Sequence, residues 1–166
     1  ILDVEKADIG THHLQLETID AAILLAAVVD NLSLAATKKQ QQIIFNHPNT
    51  AVNILSDKQL LYRVFENLLS NSIKYSEEGK RIWINLTEDN ESVSVHFEDE
   101  GVGIPADEIP YLFTKYSKIS SKPTAGELST GLGLSIVKRI AEELNGKLSC
   151  TSQEGIGTTF TVQLPK

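Results

Sequence analysis

Asn67, Asn71 and Lys74 stand four and three positions apart within a stretch of helical periodicity. This spacing places all three side chains on one face of a helix. Amide oxygens can ligate Mg²⁺, and an ammonium group neutralises phosphate charge. The face could therefore bind a metal–phosphate group, although an ordinary solvated helix face shows the same polar stripe.

Asp99, Gly101 and Gly103 directly follow a segment that alternates in the manner of a strand. Glycines two positions apart permit positive φ angles and let a planar ligand approach the backbone closely. A carboxylate at the end of a strand can accept a hydrogen bond from an adenine amino group. The alternative is a simple strand-ending turn, for which glycine and the nearby Pro105 are common residues.

Gly131 and Gly133 stand just before a stretch of helical periodicity. Backbone N–H groups at a helix N-terminus bind anions, and glycines let a phosphate come close to them. The spacing is neither a Walker A loop nor a dinucleotide fingerprint, because no Gly-Lys-Ser/Thr follows and Ile136 occupies the place of the third glycine. A glycine-loosened helix start is the alternative.

Three helices are expected to position these residues. The first is capped by Asp20 and runs to about Lys39, with an apolar face suited to lying on a sheet. The second runs from Asp57 to about Tyr75, and the third from Gly133 to Leu144. A capping box of Ser56 and Gln59 is expected to start the second helix. The expected apolar face of the first helix consists of Ile23, Leu24, Ala27, Val28, Asn31 and Leu34.

Strands are expected at residues 13–19, 42–46, 51–55, 81–87, 92–98, 147–152 and 158–164, with hairpins in the middle and at the end of the chain. A single helical turn is expected near residues 108–113. This order predicts an α/β fold, namely a two-layer α/β sandwich in which about three helices cover one face of a mixed, mostly antiparallel sheet.

Composition fits one compact domain, since 41% of the 166 residues are hydrophobic and 22% are charged. The net charge of −7 argues against nucleic acid as a partner. A lone Cys150 and scattered histidines predict no zinc site. The apolar run of residues 21–29 is too short to span a bilayer, so we expect a soluble fragment.

The order of four segments, residues 67–75, 99–105, 112–116 and 131–135, resembles the N, G1, F and G2 boxes of sensor histidine kinases of two-component systems. The likeness covers nearly the whole chain. It implies the Bergerat ATP-binding fold, with ATP and Mg²⁺ as cofactors. It further implies that residues 1–10 are the tail of a dimerisation and phosphoacceptor helix, and that residues 11–166 are the catalytic domain.

The resemblance also implies individual roles. Asn71 would ligate Mg²⁺ with help from Asn67, and Lys74 would contact the phosphates. Tyr75 would border the nucleotide, and Asp99 would hydrogen-bond the adenine N6 amino group.

Gly101 and Gly103 would shape the adenine pocket in such a domain, and Ile104 would line it. Residues 112–130 would form a lid over the nucleotide. Within it, Lys118 stands where an arginine often reaches the terminal phosphate, so that Asn67, Lys74 and Lys118 are the expected catalytic residues. The residues that would close over the phosphates are Thr130, Gly131, Leu132 and Gly133.

Relatives of this fold that hydrolyse ATP, such as DNA gyrase, place a general-base glutamate four residues before the magnesium asparagine. That position here is Asn67. Glu66 lies about 100 degrees around the helix, so the resemblance implies slow hydrolysis and transfer of the γ-phosphate instead.

The acceptor would be a histidine upstream of Ile1, because none of the four histidines stands in a phosphoacceptor-like segment. The isolated chain is therefore not expected to phosphorylate itself. Expected partners are its own dimerisation domain and a response regulator, within a homodimeric, cytoplasmic and possibly membrane-anchored parent. A serine kinase of the anti-sigma-factor type and a non-catalytic interaction domain remain alternatives.

Overall fold

A computed structural model describes residues 13–115, 119–127 and 133–166. Its main sheet has five strands: β2 (Gln42–Asn46), β4 (Arg81–Glu88), β5 (Ser92–Asp99), β6 (Lys147–Gln153) and β7 (Gly157–Pro165). They lie in the order β2-β4-β5-β7-β6, and only the β2–β4 pair is parallel. The mixed, mostly antiparallel sheet and its two hairpins are therefore confirmed.

Two further strands, β1 (Leu16–Asp20) and β3 (Asn53–Asp57), form a small antiparallel sheet of their own. Leu16 lies opposite Asp57, and Asp20 lies opposite Asn53. Both strands were expected to begin two or three residues earlier and to end one or two residues earlier. Loop residues precede each strand and a helix follows it directly, so alternation alone set the strand ends poorly.

Three helices, α1 (Ala21–Lys38), α2 (Lys58–Lys74) and α3 (Gly133–Glu143), cover one face of the main sheet. Every second residue of the central strands points toward them; in β5 these are Val93, Val95 and Phe97, all fully buried. Phe65 of α2 meets Phe97 with ring centroids 6.1 Å apart. The predicted two-layer sandwich is confirmed.

The apolar face of α1 differs from the prediction. Ile23 and Leu34 are 70% and 65% exposed, and Ala27 and Asn31 are exposed as well. The buried side chains are those of Ala21, Leu24, Leu25, Val28 and Ala36. Apolar residues surround most of this helix, so its periodicity did not identify the face that packs on the domain.

Among the residues that the structure describes, α1 is also the one helix long and apolar enough to cross a membrane, with 18 residues and a mean hydropathy of 1.5. The buried helix of a globular domain meets the same two criteria. Because α1 follows β1 directly and buries Leu24, Leu25 and Val28 in the core, we assign it to this domain.

The start of α2 also differs from the prediction. Asp57, not Ser56, is the N-cap, and its Oδ1 accepts the Leu60 N–H at 3.1 Å. Ser56 lies inside β3 and is buried, so the predicted capping box with Gln59 is wrong. The other boundaries agree closely: Asp20 caps α1, Ile109–Tyr111 form one 3-10 turn, and Asn145 ends α3 with a φ of 59°.

Candidate functional site

Asp99 is a buried carboxylate at the end of β5. The alternation that buries Val95 and Phe97 continues to this residue, so its side chain lies on the helix-facing side of the sheet with 6% exposure. Its Oδ1 accepts the Gly101 N–H at 2.9 Å and the Thr158 N–H at 3.3 Å. One carboxylate oxygen is thus fixed by the backbone of two neighbouring segments.

Burial raises the pKa of the Asp99 carboxyl to about 6. Hydrogen bonds from the Gly101 and Thr158 N–H groups and from the Ser72 hydroxyl lower this pKa, but burial outweighs them. At neutral pH the group is therefore an ionised acceptor in a largely apolar setting, where a hydrogen-bond donor is strongly favoured.

Gly101 brings the segment after β5 against the end of α2. A Cβ at this position would lie 2.6 Å from the Tyr75 carbonyl oxygen and 2.6 Å from Asp99 Oδ1. The next residue, Val102, donates its N–H to that same Tyr75 oxygen at 3.1 Å. The segment that contains Asp99 and the helix that contains Asn71 are therefore joined by backbone contact.

Gly103 has a φ of 73°, and a Cβ there would overlap the backbone of Gln153. The Ile104 N–H donates to Ser152 Oγ at 2.8 Å, and the Ile104 side chain is 9% exposed. Backbone packing alone accounts for both glycines at positions 101 and 103. The roles of the two glycines and of Ile104 in an adenine pocket stay predictions.

The three polar residues on α2 lie on one half-buried face, as their spacing predicted, and Tyr75 is the C-cap of this helix. Within the described ranges, no hydrogen bond or ion pair engages the side chains of Asn67, Asn71 or Lys74. These groups are therefore available to a ligand beside the Asp99 segment.

The same face fits a magnesium ion. In the described parts of the chain, no three His, Cys, Asp or Glu side chains cluster in a way that could hold a metal. Mg²⁺ prefers oxygen ligands and usually retains waters and substrate phosphates beside one or two protein groups. The amide oxygens of Asn71 and Asn67 match that requirement.

Leu112 and Phe113 anchor the chain to the core after the G1 box, which is residues 99–105. Leu112 is buried, and the Phe113 ring meets Phe160 edge-on with centroids 6.4 Å apart. The ammonium of Lys138 on α3 lies 5.9 Å from the centre of the Phe113 ring. These contacts place the aromatic segment between the sheet and α3.

Several predicted residues lie outside the described part of the chain. Gly133 is described as the first residue of α3, and a Cβ there would meet no described atom within 4 Å. The proposed tail at residues 1–10 and its boundary also stay predictions. The predicted site residues not described are Lys118, Thr130, Gly131 and Leu132.

Sequence reasoning missed a polar group beside the end of α2. Lys39 is 7% exposed, and Gln41 is 8% exposed and donates to the carbonyls of Ile73 and Ser76. Thr124 donates its N–H to Lys74 O at 2.8 Å. The one local signal for this group was weak: Lys39 is the C-cap of α1, and a lysine near a helix C-terminus can bond the last carbonyls of a helix.

Residues 56–166 match the family model described as histidine kinase-, DNA gyrase B- and HSP90-like ATPases. The chain belongs to this family. Its relatives include the sensor histidine kinase WalK of Bacillus subtilis (strain 168), 30% identical over 168 residues that cover 99% of this chain and 27% of WalK.

Another relative is the aerobic respiration control sensor protein ArcB of Escherichia coli (strain K12), 31% identical over 173 residues that cover 99% of this chain and 21% of ArcB. The chain thus spans about a quarter of the length of these ATPase-family relatives. The predicted likeness to histidine kinases is confirmed.

Solved structures show the same fold. The catalytic domain of histidine kinase ThkA superposes with a TM-score of 0.81 at 24% identity, covering 92% of this chain and 98% of that domain. Full-length ShkA in complex with AMPPNP gives a TM-score of 0.83 at 24% identity, over 98% of this chain and 34% of ShkA. ThkA in complex with response regulator protein TrrA gives 0.79 at 22% identity, over 99% of this chain and 47% of that one.

Proposed function

We propose that this chain is the ATP-binding catalytic domain of a two-component sensor histidine kinase. It binds Mg-ATP and donates the γ-phosphate to a histidine on an upstream dimerisation domain. The supporting observation is the contact of Val102 and Gly101 with the Tyr75 carbonyl, since it places a buried acceptor, Asp99, beside the helix end that presents Asn71 and Lys74.

Asp99 selects adenine in this proposal. Its Oδ1 already accepts two backbone N–H groups, so the second oxygen would accept the N6 amino hydrogen. Gly101 and Gly103 would bound the base, Ile104 would line the pocket, and Tyr75 would border the nucleotide. A base with a carbonyl in place of the amino group would set an acceptor against the carboxylate and bind weakly.

Asn71 and Asn67 would hold Mg²⁺ through their amide oxygens, and Lys74 would contact the phosphates. When bound, the metal ion supplies charge neutralisation for the phosphate oxygens. Lys118 would add positive charge near the terminal phosphate without the two-pronged geometry of arginine. The residues proposed to surround the phosphates are Thr130, Gly131, Leu132 and Gly133.

Transfer to an incoming nucleophile fits this site better than hydrolysis. Asn67 occupies the position from which a glutamate would activate water in hydrolytic members of the family. The neighbouring Glu66 accepts a hydrogen bond from Asn31 Nδ2 of α1 at 2.9 Å, which directs its carboxylate toward α1. We infer that intrinsic ATP hydrolysis is slow.

The parent protein, on this proposal, is a homodimer that contains the phosphoacceptor helices and passes its phosphoryl group to a response regulator. Because ATP is the donor, this domain lies on the cytoplasmic side, whether or not the parent is anchored in a membrane. The alternatives, a serine kinase or a non-catalytic interaction domain, make different predictions for nucleotide binding and for the acceptor residue.

Calorimetric titration with ATP, in the presence and absence of Mg²⁺, tests nucleotide binding. We expect Mg²⁺ to strengthen ATP binding to the natural chain. Asp99→Asn should weaken the affinity by roughly 10- to 100-fold, about 1.4 to 3 kcal/mol, because an amide NH2 donor replaces the oxygen that would accept the adenine amino hydrogen. Asn71→Ala should remove most of the metal dependence.

Asn85→Ala is the matched control, because Asn85 is a β4 asparagine whose side chain bonds Asn46 on the sheet face away from the helices. It should bind as the natural chain does. If the natural chain bound no nucleotide with Mg²⁺ present, the interaction-domain alternative would replace the proposal.

A further inference from the structure

Lys39 is a buried cation that joins three parts of the chain. Its side chain is 8% exposed and lies just beyond the last residue of α1. Its Nζ donates to Ile73 O at 2.8 Å, to Thr124 Oγ1 at 2.7 Å and to Glu127 Oε2 at 2.9 Å. An ammonium group has three protons, so these three short bonds use all of its donors.

The Ile73 carbonyl belongs to the last turn of α2, where carbonyl groups have no partner within the helix. The Lys74 carbonyl lies 3.4 Å from the same Nζ. A cation at this end also interacts favourably with the helix dipole. Lys39 therefore stabilises the turn that presents Asn71 and Lys74, from a helix 35 residues earlier in the chain.

Residues 119–127 are held on the other side of the same ammonium. Thr124 donates its N–H to Lys74 O at 2.8 Å and its Oγ1 hydrogen to Ser76 O at 2.8 Å. Glu127 forms the ion pair with Lys39 and also accepts the Ala125 N–H at 2.8 Å. We call Lys39, Thr124 and Glu127 the Lys39 cluster.

We propose that Lys39 is a positioning residue of the nucleotide site, because the Lys39 cluster fixes residues 119–127 against the turn of α2 that holds Lys74. This inference deepens the proposed function and rests on it for the nucleotide. Lys39 itself touches no substrate in this scheme. It sets the spacing between the end of α2 and residues 119–127.

Glu127→Ala is the main test variant. The Glu127 side chain is 25% exposed, and without it the buried Lys39 ammonium keeps its bonds to Ile73 O and Thr124 Oγ1, so the domain should still fold, with a modestly lower melting temperature. Lys39→Met is the second variant. It leaves a carboxylate and helix carbonyls without their cation and should destabilise the fold more strongly.

Lys38→Met is the matched control, because Lys38 is the adjacent exposed lysine in the last turn of α1. It removes the same charge from the chain and leaves the Lys39 cluster intact. All comparisons use the 166-residue chain, with the melting temperature measured for every variant.

Amide hydrogen exchange without nucleotide decides whether the Lys39 cluster holds the segment. In Glu127→Ala we expect the Thr124 amide to exchange roughly 10-fold faster, because local opening becomes easier. The Lys38→Met control should match the natural chain. Unchanged exchange at Thr124 in both Glu127→Ala and Lys39→Met would overturn the proposal.

ATP affinity with Mg²⁺ then decides whether the segment matters for the site. We expect Glu127→Ala to weaken binding about 3- to 10-fold at a temperature where the variant is fully folded, a result that a merely structural role would not give. Lys39→Arg keeps the positive charge, so it should weaken ATP binding less than Lys39→Met does. Faster exchange with unchanged affinity would refute the role in the site. No binding by the natural chain would instead refute the proposed function, and the role in the site with it.

Discussion

Asp99 combines two opposing influences within one side chain. Burial disfavours its ionised form, while two backbone N–H groups on Oδ1 favour it. The outcome is a pKa of about 6, so the carboxyl titrates just below neutral pH. Because Oδ1 is already occupied by donors, the proton would reside on the other oxygen and oppose an adenine amino group. Nucleotide binding should therefore weaken as pH falls through about 6.

The first prediction concerns stability at this residue. The folded pKa of about 6 lies above the unfolded value of about 3.9. Asp99 therefore contributes stability that is fully present below about pH 4 and is lost as pH rises to about 6. The free energy of unfolding of the natural chain, relative to Asp99→Asn, should fall by about 2 kcal/mol between pH 4 and pH 7.

Urea unfolding of both proteins at four pH values between 4 and 7 measures this difference. Other titrating groups are common to the two chains, so their contributions largely cancel in the comparison. A difference that did not vary with pH would mean that Asp99 titrates in its ordinary range.

At the scale of elements, the junction of β3 and α2 shows why one cap was misassigned. Ser56 and Asp57 are adjacent, and both residue types are favoured N-caps. The structure selects Asp57 because β3 extends to that residue, where it pairs with Leu16 of β1. Asp57 Oδ2 also accepts the Gln15 N–H at 3.0 Å. A long-range strand pairing thus decided a choice that local rules left open.

The second prediction compares these two neighbours. Asp57→Ala should lower the free energy of unfolding by about 1 to 3 kcal/mol, because it removes the α2 cap and the bond to Gln15. Ser56→Ala, which leaves the cap in place, should lower it by less than about 1 kcal/mol. Chemical denaturation measures both values. If Ser56→Ala lowered the free energy of unfolding more than Asp57→Ala does, Ser56 would be the N-cap, as the sequence predicted.

At the scale of the whole molecule, the sequence predicted the sandwich and its hairpins, and the resemblance implied that Asp99 and the polar face of α2 serve one nucleotide site. Alternation in β4, β5 and β7 is strict because one face of the sheet is buried, and strict alternation is readable. The buried face of α1 and the Lys39 cluster were not predictable. The first is hidden by apolar residues around the helix, and the second joins residues 88 positions apart, with no local pattern.

Two described histidines, His47 and His96, lie apart from the proposed phosphate site. His96 is on the face of β5 opposite Asp99, with Nδ1 2.8 Å from Thr161 Oγ1. The His47 ring lies beside Phe45, with centroids 4.7 Å apart, in the loop after β2. In-line phosphoryl transfer requires the nucleophile to lie at the terminal phosphate. Neither side chain meets that condition, which supports the proposal that a histidine on an upstream domain accepts the phosphoryl group.

The last prediction follows from this separation. The chain incubated with γ-labelled Mg-ATP should acquire no covalent label, because the proposed acceptor histidine lies on an upstream domain. Adding a separate fragment that contains the upstream dimerisation helices should give an acid-labile, base-stable label on that fragment only. At ATP concentrations near the affinity of the natural chain, Asp99→Asn should strongly slow the transfer, and Asn85→Ala should preserve it. An acid-stable label on the added fragment would indicate a serine kinase, whereas label on this chain would place the acceptor within the domain itself.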